Sequence, residues 1–171
     1  MDHPANPASQ RATPPTAKEK NAVQRAVNAL LDTLAPERAT TRADRLPLRI
    51  EPHRTPSGCV LQAPTAAVSL SWFPDAGNGA SLGELQIFLW RGVVSRRGSA
   101  PNPDGAVVVQ EFALRPVDQA GTDCLWRTVD GEGATYTTDA LAAYCLALLE
   151  EQMNADDPTG SAQATSARRR D

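Results

Sequence analysis

At 171 residues, 41% hydrophobic and 22% charged, the chain has the size and composition of one globular domain. Its net charge of -3 argues against a nucleic-acid binder with a coherent basic face. No run of about 18 apolar residues offers a membrane-spanning helix. Cys59, Cys124 and Cys145 are an odd set with no C-x-x-C spacing, so buried or half-buried thiols are expected rather than a metal knuckle or a disulfide framework. Fifteen arginines against two lysines, with abundant Ala and Pro, suggest a GC-rich, bacterial genome. The opening "MDHPANPASQ" lacks the basic and apolar blocks of a secretory signal, which leads to the expectation of a cytosolic protein.

Residues 1–15 carry Pro4, Pro7, Pro14 and Pro15 among small polar residues, and they read as a disordered tail. The single domain is expected over 16–154. Thr16 and Glu19 have the spacing of a capping box. Val23, Val27, Leu30, Leu31 and Leu34 then recur on one helical stripe, and Pro36 stops the helix.

Strand-like segments follow. "LPLRIEP" alternates Leu46, Leu48 and Ile50 with Arg49 and Glu51. "CVLQA" is short, and "AAVSLSWF" sends Val68, Leu70 and Trp72 inward with Ser69 and Ser71 outward. After the loop "PDAGNG" come two long segments, 84–94 and 106–116, joined by "SRRGSAPNPDG". "CLWRTV" and "ATYTT" form a last pair through "DGEG", a hairpin turn signal. A second helix, capped by Thr138 or Asp139, presents Leu141, Tyr144, Cys145, Leu148 and Leu149. The tail 155–171 ends in Arg168, Arg169 and Arg170 and reads as solvated. The order predicts an α+β domain with a mostly antiparallel sheet of six to seven strands and a helix at each end; a curled, barrel-like sheet capped by the C-terminal helix is the alternative.

The hairpin 84–116 poses the main question, because "LGELQIFLWRGVV" is apolar on both faces. If Val94 pairs with Ala106, Phe88 faces Phe112, Trp90 faces Gln110 and Gln86 faces Leu114. The other face then holds Leu85, Ile87, Leu89, Val93, Val107, Val109 and Ala113, with Arg91 opposite Val109 and diagonal to Glu111 in a cross-strand ion pair. A slip of one residue exchanges one strand's set. Each exposed Leu, Ile or Val forgoes about 1.5–3 kcal/mol, so both faces are expected to be mostly dry. One helix on each face, or a curled sheet, achieves this within the chain. Both helices on one face with a second subunit on the other also achieves it.

Convergent catalytic chemistry is sparse. Glu51 and His53 sit at alternate strand positions, where a carboxylate orients an imidazole. Cys59 lies six residues beyond His53 around a Pro-Gly turn, which makes these three the candidates for a thiol or hydrolase-like centre. "SGC" lacks the flanking glycines of a nucleophile elbow, "DGEG" is too short for a calcium loop, and "GNG" lacks a phosphate-binding helix and lysine. Arg38, Arg42, Arg45, Arg49 and Arg54 form one basic run, and Arg91, Arg96 and Arg97 another beside Trp90, but Glu37, Asp44, Glu51 and Asp104 interrupt both. Nucleic-acid binding is the weaker reading on that ground. No motif identifies a family. The sequence reads as a binding or scaffolding module without catalysis, cofactor or metal. Its sheet serves as the interaction surface for a second copy or another protein, with Trp90, Arg91, Arg96 and Arg97 as binding candidates.

Overall fold

The computed structural model describes residues 14–35, 49–74, 82–94, 105–117, 124–129 and 133–156. The chain runs α1 (Ala17–Leu34), β1 (Glu51–Thr55), β2 (Gly58–Gln62), β3 (Ala66–Phe73), β4 (Glu84–Arg91), β5 (Val107–Val117), β6 (Leu125–Thr128), β7 (Thr135–Thr137) and α2 (Thr138–Asp156). The seven strands pair antiparallel in sequence order, so the sheet is an open meander. This is the expected α+β fold; the curled barrel is not formed.

Local chemistry explains where the helices begin. Thr16 caps α1: its Oγ1 accepts from the Glu19 N–H, and the Glu19 carboxylate accepts from the Thr16 N–H. The predicted stripe Val23, Val27, Leu30, Leu31 and Leu34 is the buried face of α1. At α2 the cap is Thr137, whose Oγ1 accepts from the Ala140 N–H at 3.1 Å. It is neither Thr138 nor Asp139, because Thr138 Oγ1 instead accepts from Trp126 Nε1 at 3.2 Å. α2 buries a wide arc, with Leu141, Ala142, Cys145, Leu148 and Leu149 all in the core. It needs that width because it packs against both the sheet and α1.

Both helices lie on the same face of the sheet, which is one of the arrangements left open by the sequence and excludes the other, one helix on each face. The single large core joins the apolar faces of α1 and α2 to Cys59, Leu61, Val68, Leu70, Trp72, Leu85, Ile87, Leu89, Phe112, Leu114 and Trp126. Trp72 and Trp126 meet edge to face at its centre, 6.0 Å apart.

The strand details differ from the sequence reading in three places. The first strand starts at Glu51 rather than Leu46, and it turns tightly over Pro56 and Ser57 into β2; Leu46 and Leu48 lie outside the described residues. In the central hairpin Gln86 pairs with Ala113, Ile87 with Phe112 and Leu85 with Leu114. The register is one residue away from the Val94–Ala106 assumption, so Phe112 and Leu114 join Leu85 and Ile87 under the helices. A bulge between Leu89 and Trp90 then lets Trp90 pair with Val108 and Arg91 with Val107. Arg91 and Glu111 consequently fall on opposite faces, and the proposed cross-strand pair between them is not made. Val93, Val107 and Val109, expected to be buried, are exposed, because this end of the hairpin runs past the helix-covered core.

Candidate interaction surface on the helix-free face

Strand alternation determines what the uncovered face displays. From β3 it takes Ala67, Ser69, Ser71 and Phe73; from β4, Glu84, Gln86, Phe88 and Trp90; from β5, Val108, Glu111, Ala113 and Arg115. The surface divides into an aromatic half and a charged half.

In the aromatic half, Phe88 and Trp90 are half-buried, with ring centroids 5.9 Å apart. Trp90 donates Nε1–H to Ser69 Oγ at 2.9 Å. That bond satisfies the one polar atom of the indole and explains why Ser69, placed on the outer face as predicted, is nevertheless buried. Around Trp90 a small second cluster forms from Val60, Ala67 and Val94, with Ala106 at its edge. Gln62 holds the Val94 end in place, accepting from the Val94 N–H at 2.9 Å. The chain therefore dries one corner of this face with its own residues. Phe88 and Trp90 remain partly open and Val108 is exposed, as is Phe73 at the other end of the face, where it pairs with Glu84.

The charged half centres on Glu84, whose Oε2 accepts from Arg115 Nε at 3.2 Å and from Nη2 at 3.1 Å. Gln86 donates to the other carboxylate oxygen at 3.2 Å. Arg115 also pairs directly with Arg127 on β6, an unfavourable like-charge neighbour that Glu84 offsets.

The predicted catalytic candidates separate across the sheet. Glu51 and His53 stay together, with 3.8 Å between Oε2 and Nε2. His53 pairs with Val60 on the helix-free face, whereas Cys59, which pairs with Arg54, enters the helix-covered core. Burial pushes the Cys59 thiol up to about 12, against the opposing pull of Arg54. A thiol held protonated, on the far side of the sheet from the imidazole, lacks the geometry of a nucleophile–base pair. Cys145 is likewise raised by burial.

Of the arginines, Arg91 lies at the exposed end of β4, and Arg96 and Arg97 lie outside the described residues. Arg54 turns toward α1, where its Nη1 lies 3.5 Å from Asp32 Oδ1 beside a polar cleft of about 310 Å³ shared with Asn28 and Thr55. Its role is to join β1 to α1. Among the described residues no cluster of three or more His, Cys, Asp or Glu is placed to hold a metal ion, and no helix is long and apolar enough to cross a membrane.

Sequence reasoning found Trp90 but missed its partner Ser69 and, at the other end of the face, Glu84. Ser69 and Ser71 share the outer face of a one-sided strand in the sequence, so nothing there singles out Ser69 as the one that lies beneath Trp90.

The chain was compared with protein-family models, with curated proteins and with solved structures, and none matches it.

Proposed function

We propose that this is a non-catalytic protein-binding or scaffolding module of the bacterial cytosol, and that the helix-free face of its sheet is the contact surface. The observation that carries this reading is the one-sided placement of α1 and α2, which leaves Phe73 and Val108 exposed and Phe88 and Trp90 partly open, with no helix over them among the described residues. Paired aromatics with their polar atoms already satisfied are the side chains that gain most from a partner's apolar surface. The Glu84–Arg115 pair beside them supplies a polar rim that fixes orientation. The partner this surface fits is a protein that brings apolar side chains to the aromatic half and polar groups to the charged half.

Site-specific photo-crosslinking tests the proposal. A photoreactive residue at Phe88 is expected to yield discrete protein adducts in cells, and the same group at Asn28, on the exposed side of α1, is expected to yield none. Equal labelling from the two positions contradicts the proposal.

A further inference from the structure

β5 is longer than the strand beside it. β6 pairs only with Leu114–Val117, and the Val129 N–H reaches the Ala113 carbonyl at 2.9 Å. From Val107 to Phe112 no described strand pairs with the outer edge of β5. That leaves roughly 20 Å of open backbone at about 3.3 Å per residue. Its side chains are Val107, Val108 and Val109, all exposed, followed by exposed Gln110 and Glu111.

Open edges are usually blunted by proline, by charge or by shortness. The two terminal strands of this sheet follow the rule. β1 carries Pro52 beside the charged Glu51, and β7 is three residues long. The Val107–Val109 run has neither proline nor charge, and its high β propensity suits strand addition.

We infer that the chain forms a two-fold dimer in which the Val107–Phe112 edges of two copies pair antiparallel and extend the sheet across the interface. Two observations favour a second copy over an unrelated strand, and a third favours antiparallel over parallel pairing. The open segment is centred between Val109 and Gln110, so a two-fold axis there uses the whole edge of both copies and leaves none for further growth. That register sets Val108 of each copy opposite Glu111 of the other, and Val107 opposite Phe112. It therefore joins residues of the same face despite the bulge. The two Glu111 carboxylates then stand about 10 Å apart, near one Debye length, whereas parallel pairing stacks them directly. This inference rests on a backbone edge and not on the Phe88–Trp90 surface, so either can fail without the other.

The Ala113 carbonyl points outward, to Val129. Glu111, two residues earlier, therefore turns its own N–H outward as well. Glu111→Pro removes that donor without touching the β4 ladder, and Val108→Lys/Val109→Lys adds charge to the same edge. In sedimentation velocity the full chain is expected to be dimeric at about 10 µM, and each edge variant is expected to weaken the dimer at least about tenfold. Phe88→Ser is expected to leave the dimer intact. Hydrogen exchange of the unaltered chain supplies a check that needs no variant: the Glu111 amide is expected to become protected as concentration rises. A monomer at about 100 µM, a dimer indifferent to both edge variants, or a Glu111 amide whose exchange does not depend on concentration overturns the inference.

Discussion

Gly58 and Cys59 are neighbours on β2 with opposite demands. A Cβ on Gly58 would lie 1.9 Å from the Leu70 carbonyl oxygen, a backbone atom of β3 that cannot swing away. Only glycine lets the β1–β2 hairpin lie this close to β3. Gly58→Ala is expected to lower stability by about 3 kcal/mol, read from urea unfolding. Cys59 is held protonated in the native state and ionises freely once unfolded. Its contribution is intact below the ordinary thiol value of 9.0 and is lost as pH climbs from there toward about 12. Native stability is expected to fall across that window as the unfolded thiol ionises first, with Cys145 adding in the same direction. Cys59→Ala is expected to make the slope shallower. Alkylation at pH 8 provides a second check, with Cys124 reacting well before Cys59. The sequence signals three buried or half-buried thiols, as found, but not which of them is the half-buried Cys124, because that depends on the neighbours of β6.

Helices and strands were legible to different depths. α1 was readable in full, since its cap and stripe obey local rules that need no knowledge of the rest of the chain. Thr16→Ala removes the Oγ1 that the Glu19 N–H uses and is expected to cost about 1 kcal/mol, measurable as a lowered Tm. The start of α2 was misassigned by one residue because three consecutive hydroxyl or carboxyl side chains, Thr137 to Asp139, are all competent caps. Only the position of Trp126 removes Thr138 from the contest. The β4–β5 register was not legible, because both strands are apolar on both faces and a one-residue slip leaves each face plausible. The bulge before Trp90 compounded the difficulty by changing parity midway along the hairpin. Ser69 beneath Trp90, and Phe112 beside Tyr144 with centroids 5.8 Å apart, are the contacts that distinguish the two faces.

Assembled, these elements make a two-layer domain with one wet aromatic face. That asymmetry is the feature on which the proposed interaction surface rests. The apolar character of its helix-covered side is legible in the sequence, but whether the two helices share a face is not. Element order is compatible with either arrangement, and the choice rests on contacts between residues more than a hundred positions apart, such as those joining α1 to α2. The most direct measurement compares adjacent residues of β4 by equilibrium urea unfolding. Ile87, fully buried beneath the helices, and half-buried Phe88 point to opposite sides of the sheet. Ile87→Ala is expected to lose about 2–5 kcal/mol, and Phe88→Ser about 1 kcal/mol or less. Equal losses, or a larger loss at Phe88, would show that the aromatic face is a second core and not a surface held open for a partner.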